Sequence, residues 1–427
     1  MGFTKKITSE ESRRCPQCAQ PFCLQGCPLG VDIPGFVRLL READAPLALE
    51  KIKKDNPFPA ICGRICTAPC EDLCVFHEEG SPIAIRSLER YAADFGRITA
   101  SRRSVRTFNG KKVAIVGSGP SAMMAASFLL KDGFDVEMFE AANQPGGVLR
   151  YGIPEFRLPQ QVLEAQFEEL ESQGLKIHTN VFIGRMKSLA DLSHSFDAVL
   201  LATGASLPNF SSLDGENLIG VYYAEEFLMR LQVQSKSNIL LSAGDMVRGL
   251  ETVVIGKGYA ALDAARMAAR LGQKVQWIFE GLEEEMGLTS DDLRESLDEG
   301  IDIQSPYKVL GILGNSQNHA QAVQCHRMEI VEGLGGLSLQ PAKEAPVVFE
   351  AQTVILANGQ KANAFLSSVT GQLKVNANGT LCVDDKTSLT NLEKVFAVAS
   401  AVQGPMTVVD AFACGKAVAQ KITDYLK

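Results

Sequence analysis

Two short bursts of cysteine limit what the first part of this chain can become. Cys15, Cys18, Cys23 and Cys27 fall within CPQCAQPFCLQGC, and Cys62, Cys66, Cys70 and Cys74 within CGRICTAPCEDLC. Such crowding suits disulfides, zinc or iron. The opening MGFTKKITSEESRR has no apolar targeting core, and apolar runs such as AVLLATGA are too short to span a bilayer, so the sequence predicts a cytoplasmic protein with no membrane partner. Disulfides are rare in that compartment, which leaves metal as the main reading. Structural zinc takes four ligands, typically as two CxxC-like pairs. The first burst instead reads CxxCx4CxxxCP, three close thiols followed by a fourth and a proline, as in bacterial iron–sulfur loops whose last cysteine serves a second cluster. Two zinc knuckles stay open as the competing reading.

The text around the bursts carries a family resemblance. Cys27-Pro28 leads into VDIPGFVRLLREADAPLALEKIKKDNPFPAICGRIC, then PCEDLC and SPIAIRSLERY. This resembles the N-terminal helical domain shared by the small subunit of glutamate synthase, the N-terminal part of dihydropyrimidine dehydrogenase and the large subunit of ferredoxin-dependent transhydrogenases. The resemblance implies two 4Fe-4S clusters. It assigns one to Cys15, Cys18, Cys23 and Cys74, and the other to Cys27, Cys66, Cys70 and Glu89, the last standing where the family has Gln or Glu. It gives Cys62 no ligand role, and a free cysteine is ordinarily a small buried apolar residue.

From Lys111 the pattern changes to KKVAIVGSGPSAMMAASFLLKDGFDVEMFE, a strand, a glycine turn, a small-residue helix and a second strand ending in acid. Gly117 suits the tight turn, Gly119 lets backbone approach a pyrophosphate, Ala122 allows close helix packing, and Glu140 is placed for a ribose hydroxyl. Met123 and Met124 read as core. PGGVLRYGIPEFRLP, with Gly147, resembles the family's flavin-contacting stretch, FDAVLLATGA supplies Thr203 and Gly204, and the segment from Gly404 through Thr407 to Lys416 resembles its closing FAD motif. FAD is therefore expected. One departure is Ala399-Ser400, where the family usually has Gly-Asp, which implies a weakened FAD contact.

A second unit of the same kind, ETVVIGKGYAALDAARMAARLGQKVQWIFEG, lies between the two flavin segments. Gly256 and Gly258 suit a second pyrophosphate, which the resemblance makes a nicotinamide nucleotide. Tyr259 replaces the family's Asn, and Glu280-Gly281 stands where NADP-using members carry paired arginines. An acid there favours a free ribose 2'-hydroxyl, so NAD(H) is expected over NADP(H). A decayed domain that binds nothing is the alternative.

The remaining signals are weak. The five histidines have no metal or triad spacing, Cys325, Cys382 and Cys414 stand alone, and Glu283 to Glu285 read as a solvated face. A net charge of -8 with no basic patch argues against nucleic acid. The predicted fold class is α/β: a helical iron–sulfur domain (1–108), then two Rossmann-like domains, with the nicotinamide domain (218–362) inserted in an FAD domain (109–217 and 363–427). The cofactors would perform the redox chemistry, so no catalytic side chain is named. The expected function is an electron-transfer subunit linking NAD(H), FAD and two 4Fe-4S clusters to a second redox subunit in a hetero-oligomer, such as an NAD-linked oxoacid or aldehyde oxidoreductase. The small subunit of NADPH glutamate synthase, a ferredoxin-dependent transhydrogenase subunit and a non-enzymatic adaptor with relic sites are the alternatives.

Overall fold

The computed structural model describes residues 2–96, 108–234, 249–333 and 336–427. The expected junction near residue 108 abuts residues 97–107, which lie outside the described ones. The chain forms two compact units. The first holds residues up to Arg150, Glu155–Ser206 and Lys361–Lys427, and the second holds Tyr151–Pro154 and Leu207–Gln360.

The first unit begins with seven helices: α1 (Lys5–Arg14), α2 (Cys23–Gly26), α3 (Ile33–Arg41), α4 (Ala45–Lys53), α5 (Pro59–Ile65), α6 (Pro69–Asp72) and α7 (Ile85–Phe95). Their starts are written locally. Asp32 and Asp44 accept from the backbone N–H of Gly35 (3.0 Å) and Leu47 (2.9 Å), and proline occupies the first turn of α3 to α6, where no N–H is needed. Ile33, Phe36, Val37 and Leu40 recur at helical spacing and are all buried.

Two glycines set how closely these helices pack. A Cβ on Gly63 in α5 would lie 2.5 Å from the Arg90 amide nitrogen on α7. A Cβ on Gly26 at the end of α2 would lie 2.6 Å from the Pro69 carbonyl and 2.8 Å from Cys70 Cα on α6. Only a residue without a side chain fits either contact.

The rest of the first unit is a five-stranded parallel sheet. Its centre is β1 (Lys112–Val116), flanked on one side by β2 (Asp135–Phe139) and β3 (Lys176–His178), and on the other by β4 (Ala198–Leu201) and the strand Val395–Ala397. Past the exposed Lys112, β1 is a buried apolar run, as is all of β4, which a sheet covered on both faces requires. The helix Pro120–Lys131, entered from the Gly117–Gly119 turn, carries Met123 and Met124 fully buried. The C-terminal helix Val408–Leu426 packs on it through Gly415, where a Cβ would meet the Ser121 carbonyl at 2.3 Å.

The second unit repeats the plan. Strands Val221–Tyr223, Thr353–Ala357, Glu251–Gly256, Lys274–Ile278 and Asp302–Gln304 lie side by side in that order, all parallel. The chain's one tryptophan, Trp277, is fully buried and donates from Nε1 to the Gly256 carbonyl (2.8 Å). Four antiparallel strands between Tyr307 and Glu350 form a further sheet. Among the described residues, no helix is long and apolar enough to cross a membrane.

Candidate functional site

The cysteine bursts meet because α2 and α6, and α5 and α7, approach to glycine distance. One pocket, about 390 Å³ counting its open mouth, is lined by Cys27, Cys66, Cys70 and Glu89 together with Cys62 and Asn56. Cys66 follows α5, Cys70 sits in α6, and Glu89 projects from α7. Glu89 lines this pocket, and desolvation pushes its carboxyl up to about 7. Burial likewise pushes the Cys66 thiol up to about 12 and Cys70 further, with Glu89 and Cys27 adding negative charge. Cationic charge placed among these groups would favour their ionised forms, and metal binding would displace the protons.

The other four cysteines also gather. The Cys23 thiol is pushed up to about 11, first by burial and then by the nearness of Cys15, Cys74 and Cys18. Gln17 donates to Cys15 Sγ (3.4 Å) and the Ala68 N–H to Cys66 Sγ (3.3 Å), contacts of the kind that tune sulfur ligands. Among the described residues, no three His, Cys, Asp or Glu side chains converge tightly enough to hold a single ion.

The expected flavin residues gather at the carboxyl edge of the first sheet, where strand order reverses between β1 and β4. Gly117 has φ +103, and a Cβ there would strike the Ala202 carbonyl at 2.3 Å, so this turn admits only glycine. The space beside Gly119 is open, and so is that beside Gly204 and Gly404. Gly147 backs the loop, since its Cβ would lie 2.9 Å from Gly119 Cα. Ala122 is fully buried in the following helix. Glu140 accepts from the Ser118 hydroxyl on one oxygen and the Ala142 N–H (2.8 Å) on the other, and a carboxylate retains acceptor sites for a ribose beyond these two. Thr203 follows β4. Thr407 caps the C-terminal helix through the Asp410 N–H (3.2 Å). An open glycine cradle at a helix start fits a pyrophosphate.

Ala399, where glycine was expected from the resemblance, has φ +55 and ψ -134, a conformation in which a Cβ is disfavoured.

In the second unit Gly256 repeats the Gly117 geometry, with φ +123 and a Cβ that would meet the Ala357 carbonyl at 2.3 Å, and Gly258 again faces open space. Tyr259 donates to Asp292 Oδ2 (2.9 Å), which also accepts from the Thr289 hydroxyl (2.7 Å). Glu280 is exposed two residues beyond its strand, with Lys308 Nζ 3.8 Å away.

Spacing alone did not reveal Gly26, Gly63, Asn56 or Lys416. Lys416 Nζ, on the C-terminal helix, donates to the Leu29 carbonyl (2.9 Å) and to Asp55 (2.9 Å), while Phe412 of that helix stacks on Phe58 (5.5 Å) and Val409 lines the cysteine pocket. A glycine inside each cysteine burst without a turn to explain it was the available signal.

Residues 1–100 match the family model described as dihydropyrimidine dehydrogenase domain II, 4Fe-4S cluster, and residues 111–415 match pyridine nucleotide-disulphide oxidoreductase. The NADPH glutamate synthase small chain of Azospirillum brasilense is 30% identical, over 100% of this chain and 90% of its own. The NAD-dependent dihydropyrimidine dehydrogenase subunit PreT of Salmonella typhimurium is 31% identical, over 100% and 96%. The NADP(+)-dependent formate dehydrogenase subunit beta of Moorella thermoacetica is 30% identical over 95% of this chain, which spans 60% of that relative. Among solved structures, Mycobacterium tuberculosis FprA in complex with NADPH shares the fold with a TM-score of 0.60 at 21% identity, over 74% of this chain and 85% of that one.

Proposed function

We propose, for a chain that belongs to the pyridine nucleotide-disulphide oxidoreductase family and carries a 4Fe-4S domain ahead of it, that it is the electron-transfer subunit of a larger oxidoreductase. In this reading Cys15, Cys18, Cys23 and Cys74 hold one 4Fe-4S cluster, and Cys27, Cys66, Cys70 and Glu89 a second. FAD lies across Gly117–Ala122, Glu140, Gly147, Thr203-Gly204 and the Gly404–Thr407 turn. The nicotinamide nucleotide lies at Gly256–Gly258, with Glu280 selecting NAD(H). Residues 1–108 serve the clusters, 109–217 with 363–427 serve FAD, and 218–362 serve the nicotinamide nucleotide.

The observation that most supports this is the C-terminal helix. Its capping Thr407 belongs to the proposed FAD segment, and two residues later Val409 lines the cysteine pocket. One helix thus borders both proposed sites, and Lys416 and Phe412 hold it against the helical domain. When bound, the cofactors supply hydride exchange with nicotinamide and one-electron transfer, while the protein's part is spacing and insulation. The relatives' names divide between NADPH, NADP(+) and NAD, so the preference rests on Glu280. The partner is a second redox subunit, with an NAD-linked oxoacid or aldehyde oxidoreductase as one example.

Anaerobic purification followed by iron, sulfide and flavin analysis and stopped-flow reduction tests this reading. About eight irons and one FAD per chain, with faster reduction by NADH than by NADPH, are expected. Zinc in place of iron, or no flavin, would overturn it.

A further inference from the structure

Asn56 is wholly buried at the edge of the cysteine pocket. Its Oδ1 accepts the Phe58 N–H (3.0 Å), and this bond decides which way the amide faces. Nδ2 is thereby aimed at Glu89 and donates to Oε1 (2.8 Å). The same side chain also faces the Cys62 thiol. The second oxygen of Glu89 has no protein hydrogen-bond partner among the described residues, and Glu89 lines the pocket. Five donors therefore surround a space whose proposed occupant takes four.

We propose that Asn56 is the positioning residue of this site, occupying Oε1 so that Oε2 is presented to the cluster and holding Cys62 back, which makes Glu89 the fourth donor. This rests on the ligand set proposed above. A carboxylate rotates easily about its last bond, so a pinned donor is what gives it one orientation. Partners that orient a metal ligand typically contribute about 10- to 100-fold in metal affinity.

Asn56→Asp is the sharpest test because it keeps the shape and the acceptor for Phe58 N–H, and replaces only the donor with a second carboxylate. The full chain is reconstituted anaerobically, and flavin, iron and the EPR spectra of the reduced clusters are measured beside Glu89→Ala. Asn56→Asp should keep its flavin, lose or shift the signal that Glu89→Ala alters, and leave the other unchanged. In the double variant Asn56→Asp with Glu89→Gln, donor and acceptor exchange sides, and the affected signal should return. Wild-type spectra in Asn56→Asp, equal damage to both clusters or to flavin content, or a double variant no better than the single one overturns the inference. If Glu89→Ala leaves both clusters intact, the ligand assignment itself fails and takes this inference with it.

Discussion

Gly63→Ala sets two well-measured effects against each other. The residue lies in α5 between Cys62 and Cys66, where alanine ordinarily stabilises a helix by about 0.5–1 kcal/mol over glycine. The new Cβ would, however, lie 2.5 Å from the Arg90 nitrogen, 2.6 Å from its Cα and 2.8 Å from its Cβ. Ordinary contact begins near 3.5 Å, so α5 and α7 must part by roughly 1 Å. Two of the three obstructing atoms are backbone and cannot rotate away, and such overpacking costs about 1–3 kcal/mol. The clash therefore wins, with a net loss of about 1 kcal/mol or more. The consequence for the site is larger than for stability. Cys66 follows α5 and Glu89 stands on α7, on opposite sides of the widened contact. Ligand distances tolerate only about 0.2 Å, so a displacement several times greater should cost the cluster proposed at Cys27, Cys66, Cys70 and Glu89 while sparing the one proposed at Cys15, Cys18, Cys23 and Cys74. Iron analysis, EPR and thermal melting of the anaerobic protein measure all of this. Full iron, two unchanged spectra and an equal or higher melting temperature would show that the glycine contact does not set the donor spacing.

Ala399→Gly should raise stability by about 1 kcal/mol, because relief of an unfavourable positive-φ conformation exceeds the added freedom of the unfolded chain; a lower denaturation midpoint would contradict this. Glu280→Arg should raise flavin reduction by NADPH relative to NADH in stopped flow, and an unchanged ratio would mean that the second unit does not select the nucleotide. Lys308→Ala, which removes the cation 3.8 Å from Glu280, should sharpen the preference for NADH, and a weaker preference would refute that role. Lys416→Met removes the bonds to Leu29 and Asp55 while keeping the apolar stem, and should slow electron passage from reduced flavin to the clusters without altering flavin content. Unchanged intramolecular transfer rates would show that the clamp is dispensable.

What could be read along the chain was whatever a short window contains. A strand, a glycine turn and a helix are consecutive residues, so Gly117 and Gly256 announced their turns, and the parallel sheets followed from repeated strand–helix alternation. The cysteine spacing pointed to iron for the same reason, since loop geometry between thiols is local. The grouping of Cys74 with the first burst, and of Glu89 with Cys27, came only through family resemblance, because spacing carries no record of which helices touch. The tertiary structure alone brought in Asn56, whose two bonds reach Phe58 and Glu89, and Gly63 and Gly26, whose missing side chains matter only because Arg90 and Cys70 arrive from elsewhere. It also placed Cys62 in the donor pocket and the C-terminal helix beside it. Packing distances between distant segments are set by side-chain volume at the contact, and that quantity does not exist until the helices meet.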